Sequence, residues 1–372
     1  MKRRYQKHLA DGVFMGGGER TYRPRARTTR SLDEPRSSNS PPAQPIPTPV
    51  ERDGFWFLPD PVAQRLHQKS ALGLRVSDGI LLTAEEVMFC HWYRHVPLPS
   101  GKQWFSMQLQ KDAMLLRKTI AMDVMRNGGE RVVPASHLSK RLASIPDQTW
   151  AIRWERHETW TQHRGFSQIR LQQTHDPLDW DELLAWVSKV DSDGHVAELC
   201  VIDDEFDCTI YHLSECRPVG NHLSVGHLDS GTRKRLQEAC QQSVRIGDGY
   251  FLSETGEWPL PSIGIPHFSG RYLRREEHQF LTAPNNNNLY ATLVGQGLLL
   301  RPGFKYGCKW RAYEMDIDQA HAPWLIQPMN DAPTNWEEVC LAVRLAEGVN
   351  KRWLCAFERD EDFSFLNIKR IG

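Results

Sequence analysis

The chain has 372 residues, enough at ~100–200 residues per domain for two to four domains, and its 40% hydrophobic and 25% charged content is ordinary for a globular protein. A formal net charge of zero excludes a simple basic nucleic-acid binder held by a global field, while leaving room for a local basic groove. The eight cysteines show neither CxxC pairing nor zinc spacing, and no apolar run nears the ~18 residues of a membrane span. The expectation is a cytoplasmic, reducing setting with no metal, no cofactor, no signal peptide and no membrane.

Residues 1–50 open the chain with Gly16-Gly17-Gly18, seven prolines, and ten Lys or Arg against four Asp or Glu. Low hydrophobicity with Pro and Arg enrichment predicts a disordered basic tail. It is read either as a contact to RNA phosphates or as a solvated extension. From Glu51 the sequence repeats itself. Gly73-Leu74, Gly79 and Leu82 to Phe89 correspond to Gly264-Ile265, Gly270 and Leu273 to Phe280 at one shared offset of 191 (264−73, 270−79, 273−82). Just upstream, Asp53-Gly54-Phe55-Trp56-Phe57 parallels Asp248-Gly249-Tyr250-Phe251-Leu252, a turn followed by aromatic strand formers.

The later parts repeat too. Asp179 to Val187 parallels Asn335 to Val343 at an offset of 156 (336−180), and in both copies apolar residues at i, i+3, i+4 and i+7 predict an amphipathic helix on a sheet. Asp179 with Glu182, and Thr334 with Glu337, read as capping-box starts. An apolar strand follows each helix, Leu199-Cys200-Val201-Ile202 and Leu354-Cys355-Ala356-Phe357, then an acidic turn and another strand. The predicted class is α+β: two tandem copies of a two-part unit, each a small α+β N-terminal module followed by a mixed-sheet α/β domain. The boundaries are 1–50 tail, 51–103 first module, 104–215 first α/β domain, 216–243 linker, 244–285 second module and 286–372 second α/β domain. The first copy is longer between Trp104 and Trp150, carrying Lys111, Arg117, Lys118, Lys140 and Arg141, and this stretch is read either as a substrate-facing loop or as an added packing helix.

The copies differ where chemistry would sit. Tyr313, His321 and Lys351 stand at the ends of apolar runs in the second copy, and a phenol, an imidazole and an ammonium suit acid-base chemistry on a phosphodiester. In the first copy the corresponding slots hold Gly165 and Val196, the matching strand Trp150 to Glu155 has no tyrosine, and His163 lies two positions from the His slot. The first copy therefore reads as structural and the second as catalytic. Singly, each of the three has a plain alternative: a packing tyrosine, a turn histidine, a solvent-facing lysine.

Gly303-Phe304-Lys305-Tyr306-Gly307, then Trp310-Arg311-Ala312-Tyr313, then His321, then Lys351 opening a strand, resembles the catalytic domain of the tRNA-splicing endonucleases over roughly residues 244–372. The duplicated layout resembles the archaeal type with a degenerate nuclease-like unit ahead of an active one. The resemblance implies a catalytic triad of Tyr313 as general base, His321 as general acid and Lys351 as charge stabiliser, needing no metal. It further implies cleavage of precursor tRNA at bulge-helix-bulge exon-intron junctions, with 2′,3′-cyclic phosphate and 5′-hydroxyl ends. A free phenol titrates near ~10, so the base role needs a cation such as Lys351 nearby. By the same resemblance Arg344 and Arg370 bind substrate, Arg344 by stacking on an unpaired base, and Arg301, Lys305 and Lys309 add positive charge near Tyr313. Asp203, Asp204, Glu205 and Asp207 match an acidic loop through which two chains pair as a homodimer, although the second copy has its own acidic turn at Asp360-Glu361-Asp362. Where the family often has His-Ser and an aromatic, this chain has His321-Ala322-Pro323-Trp324. A non-catalytic structural or RNA-binding subunit of a splicing complex is the alternative.

Overall fold

A computed structural model describes Arg36 and residues 45–127, 129–138, 142, 145–161, 164–253, 256–283, 288–359 and 362–371. Most of the stretch read as a tail lies outside these residues, as do Lys140, Arg141, His163, Asp360 and Glu361. The chain divides into two compact units, residues 1–143 with 152–165, and residues 144–151 with 166–372.

The first unit contains β1 (Val50–Arg52), β2 (Phe55–Pro59), α1 (Val62–Ser70), β3 (Leu74–Arg75), β4 (Gly79–Leu82), α2 (Ala84–Arg94), α3 (Trp104–Lys111), α4 (Leu115–Arg126), β5 (Arg131–Pro134) and β6 (Ala151–Trp154). Four of its strands form an antiparallel sheet in the order β1-β2-β4-β3. Aromatic and β-branched strand formers build it, and Thr83 caps α2 with Glu86 in a capping box. The stretch after Trp104 holds the helices α3 and α4. Two of its basic side chains have local partners: Lys111 lies 3.6 Å from Glu51, and Lys118 lies 2.7 Å from Asp112.

The second unit contains β7 (Ser167–Gln173), α5 (Trp180–Ser192), β8 (Val196–Ile202), β9 (Cys208–Cys216), α6 (Ser230–Gln241), β10 (Val244–Ile246), β11 (Gly249–Ser253), β12 (Ile265–His267), β13 (Gly270–Arg274), α7 (Arg275–Thr282), α8 (Leu289–Gly295), β14 (Leu299–Pro302), β15 (Trp310–Tyr313), β16 (Trp324–Pro328), α9 (Trp336–Gly348), β17 (Arg352–Arg359) and β18 (Asp362–Ile371). A small sheet runs β10-β11-β13-β12, and a large one runs β14-β15-β16-β17-β18-β9-β8-β7. The stretch read as a linker, 216–243, includes α6, which buries Leu236 and Cys240. The second capping start falls one residue later than expected. Asn335, not Thr334, is the cap, and its side chain accepts from the Glu338 N–H at 3.0 Å. Asn335 stands where Asp179 stands ahead of α5, which accepts from the Glu182 N–H at 3.0 Å.

The large sheet shows why its strands are apolar on both faces. Trp353, Cys355 and Phe357 pack with α5 and α9 on one face, while Leu354 and Ala356 pack with α6, α7 and α8 on the other. Burying each large side chain stabilises by about 1.5–3 kcal/mol. Parallel β7–β8 followed by antiparallel β8–β9 matches parallel β16–β17 followed by antiparallel β17–β18, and β9 pairs with β18.

The two small sheets share a strand order and a buried carboxylate. In the first, Glu86 accepts from the N–H groups of Gly73 (2.9 Å) and Thr83 (3.0 Å). In the second, Glu277 accepts from those of Gly264 (3.1 Å) and Arg274 (2.8 Å). The cationic partner differs: His137 at 2.7 Å from Glu86, Arg274 at 2.6 Å and Arg301 at 3.5 Å from Glu277. Gly79 and Gly270 are also alike, since a Cβ on either would stand 2.1 Å from a backbone oxygen, of Leu58 or of Leu252. Only glycine permits that approach.

Candidate active site

Tyr313 ends β15 and is 7% exposed, packed with Leu299 and Ala322. The antiparallel register pairs Ala312 with Trp324, so the end of β15 carrying Tyr313 meets the start of β16, where His321 lies exposed three residues upstream. Parallel pairing of Trp324 with Arg352 sets the start of β17 beside the start of β16, and Lys351 is the residue just before it. Strand register therefore gathers Tyr313, His321 and Lys351 at one end of three adjacent strands.

Ala322 is the shared neighbour. Its carbonyl accepts from the Lys351 ammonium at 2.6 Å, and its methyl packs against Tyr313. An ammonium has three donors, so two remain for another anion. The backbone holds Lys351 by its N–H to Ala346 O at 2.9 Å, and Asn350 takes the left-handed conformation (φ 55°) that ends α9. The Arg352 N–H donates to Pro323 O at 2.8 Å, fixing the His321 segment against β17.

Arg311, which the sequence reading named within the motif but gave no role, stands in the same place. Its guanidinium lies 5.8 Å from the Tyr306 ring centre and 5.9 Å from that of Tyr313, and the Lys351 ammonium lies 5.7 Å from Tyr306. Partial burial, then the Arg311 charge, lowers the Lys351 pKa below the ordinary lysine value. Arg311 sits two residues before Tyr313, the strand period that points both side chains to one face, and that spacing was the available signal. Arg301 binds Glu277 and the carbonyls of Ser262 and Gly264 while lying close enough to Tyr313 for their charges to interact, and Lys309 lies 3.3 Å from Glu276.

Arg370 comes close to the same end. The β17–β18 register pairs Trp353 with Ile368, and carried on it sets Arg370 opposite Lys351. Glu347, Asn350, Lys351, Arg352, Lys369 and Arg370 line one open groove, with the Arg370 N–H donating to Glu347 at 2.9 Å. Arg344 is exposed on α9. Burial, then Cys340, raises the Tyr211 pKa, and the charges of Arg370 and Arg344 oppose the rise, so both arginines lie within reach of one tyrosine. The acidic turn after β8 is also exposed: the Asp203 carboxylate accepts from the N–H groups of Glu205 and Asp207, both at 2.9 Å, and Asp204 lies 3.2 Å from His175. Among the described residues no group of three or more His, Cys, Asp or Glu could hold a metal ion, and no helix is long and apolar enough to cross a membrane.

Residues 285–365 match the family described as tRNA intron endonuclease, catalytic C-terminal domain. Through these residues the chain is similar to the tRNA intron endonuclease family. The matched region includes Tyr313, His321, Arg344 and Lys351, while Arg370 falls just beyond it. Among curated relatives, the chain is 28% identical to the tRNA-splicing endonuclease of Picrophilus torridus over 195 residues, 51% of this chain and 61% of the relative. It is 25% identical to that of Thermoplasma volcanium over 181 residues, 45% of this chain and 53% of the relative. With that of Methanopyrus kandleri it shares 33% identity over 73 residues, 19% of this chain and 41% of the relative. The chain thus spans about two-fifths to three-fifths of the length of these members of the family.

Proposed function

We propose that this protein is a tRNA-intron endonuclease that cuts precursor tRNA at exon-intron junctions of the bulge-helix-bulge type, with Tyr313, His321 and Lys351 as its catalytic groups. The observation that carries this reading is the register of β15, β16 and β17, which brings a phenol, an imidazole and an ammonium to one end of the sheet around Ala322. The neighbouring 2′-hydroxyl attacks the scissile phosphorus as its proton passes to the Tyr313 oxygen, which enters the step as phenolate and leaves it as phenol. The bond to the 5′-oxygen breaks as His321 protonates that oxygen, leaving a 2′,3′-cyclic phosphate and a 5′-hydroxyl. Lys351, with two free N–H groups, meets the charge that builds on the phosphate. None of these roles asks for a metal ion.

The groove beside Lys351 supports an RNA substrate, since Lys351, Arg352, Lys369 and Arg370 supply four cations along one opening. Arg370 positions the backbone there, and Arg344 stacks on an unpaired base. We read residues 51–215 and 244–372 as two tandem copies of one two-part unit, the first degenerate. The matched Glu86 and Glu277 hydrogen bonds and the matched topologies support the duplication. The exposed turn carrying Asp203, Asp204, Glu205 and Asp207 is the contact through which two chains pair as a homodimer.

The test is incubation of the purified protein with an end-labelled, intron-containing precursor tRNA in EDTA. Fragments ending at both junctions support the proposal; binding without cutting returns the chain to a structural or RNA-binding subunit. The pH profile is a second check. An ammonium whose pKa is lowered loses its charge before an ordinary lysine does, so cleavage should fall as pH rises through a value below ~10.4. Lys351→Arg keeps its charge beyond pH ~12 and should remove that alkaline fall while retaining part of the rate. An unchanged alkaline limb in the variant would assign it to another group.

A further inference from the structure

Between β9 and α6 the chain passes beside the loop that joins Tyr313 to His321. One backbone hydrogen bond ties it to that loop, from the Asn221 N–H to Glu314 O at 2.9 Å, and two anchor it to the residues after α8, from the Gly220 N–H to Gln296 O at 2.9 Å and from the His222 N–H to Gly297 O at 3.0 Å. The approach requires glycine on both sides, since a Cβ on Gly220 would stand 2.2 Å from Gly297 O, and one on Gly297 2.3 Å from Gly220 O. The His222 side chain, only 10% exposed, sets its Nδ1 3.6 Å from the Asp316 carboxylate, whose side chain is 58% exposed. Its Nε2 is buried without a hydrogen-bond partner among the described residues. The Asp316 carbonyl in turn accepts from the N–H groups of Gln319 (2.9 Å) and Ala320 (3.1 Å), closing the turn that delivers His321. From the other side, Glu314 accepts from the Trp324 indole at 2.8 Å.

We infer that the segment 218–224 is a clamp on the loop 314–321, and that His222, acting through Asp316, is a positioning residue for His321. The inference rests on the reading of His321 as the general acid. Residues 315–319 of the loop are all exposed. A buried imidazole against Asp316, with the backbone bonds at Gly220, Asn221 and His222, supplies the fixed point. Since a displacement of about 1 Å at a reacting group lowers a rate ~100-fold, a partial loosening should be readable as a rate.

The experiment compares wild type, His222→Ala, Asp316→Ala and the double variant in single-turnover cleavage of precursor tRNA, with the dissociation constant and amide hydrogen exchange measured on the same proteins. Each single variant should cut about tenfold more slowly with binding unchanged, and the double variant should lose no more than the worse single. Exchange across 315–321 should quicken. Asp316 is largely exposed, so its substitution separates positioning from folding if His222→Ala is unstable. Wild-type rates in both single variants, effects that multiply, or a loss confined to binding would each overturn the clamp. Should His321→Ala cut as fast as wild type, the site reading fails instead, and unchanged exchange over 315–321 in Asp316→Ala would then independently refute the clamp.

Discussion

His321→Ala protein is expected to bind precursor tRNA as wild type does and to cut it roughly 10²–10⁴ times more slowly, the usual contribution of one general acid. The side chain is exposed, and the local backbone is held by Pro323 and by the packing of Ala322, neither of which the substitution alters. The loss should therefore lie in the cleavage step. On the proposed reading binding belongs to the groove lined by Arg352, Lys369 and Arg370, on strands the change does not touch. Single-turnover rates at saturating protein, beside a filter-binding isotherm, separate the two. A rate within a factor of a few of wild type would remove His321 from the mechanism.

The second large effect is on stability and falls in the first unit. Glu86 and His137 are 0% and 2% exposed at their side chains and 2.7 Å apart. Burial opposes ionisation of both. For Glu86 the charge and hydrogen bond of His137 and the N–H groups of Gly73 and Thr83 outweigh it and lower the pKa; for His137 the charge and hydrogen bond of Glu86 outweigh it and raise the pKa. Glu86 contributes stability that is present above the unfolded carboxylate value near ~4.3 and lost as pH falls through its lowered folded value. His137 contributes stability fully present below ~6.5 and lost as pH rises through its raised folded value. Glu86→Gln leaves a buried histidine without its counter-charge and should destabilise the unit by roughly 3–5 kcal/mol near pH 6. Since wild type surrenders the ion pair at alkaline pH, the gap should narrow toward pH 9. Urea unfolding at the two pH values measures it, and a gap that widened with pH would show that the pair is not ionised.

Much of this was legible locally. The apolar spacing from Trp180 and from Trp336 predicted α5 and α9, the runs after them predicted β8 and β17, and Cys200 and Cys355 are buried in those strands as small apolar residues. The 191-residue offset found the paired turns and glycines. It did not give meaning to Glu86 and Glu277, because an acidic pair early in a helix reads as a solvated first turn, and nothing in one dimension says that the carboxylate turns inward to two backbone N–H groups. The pairing of β9 with β18 was equally silent, since long-range strand contacts leave no spacing signal, and the place of Arg370 opposite Lys351 depends on the β17–β18 register. The shift of the cap from Thr334 to Asn335 reflects two adjacent residues that can both cap, with a glutamate three positions beyond each.

The chemistry of the new RNA ends tests the central claim most directly. Fragments released by the wild-type protein in EDTA should carry a 2′,3′-cyclic phosphate by mass spectrometry and a 5′-hydroxyl that polynucleotide kinase labels without prior phosphatase. A 3′-hydroxyl with a 5′-phosphate would mean that water or another nucleophile attacks from the opposite side, and would contradict the assignment of Tyr313, His321 and Lys351.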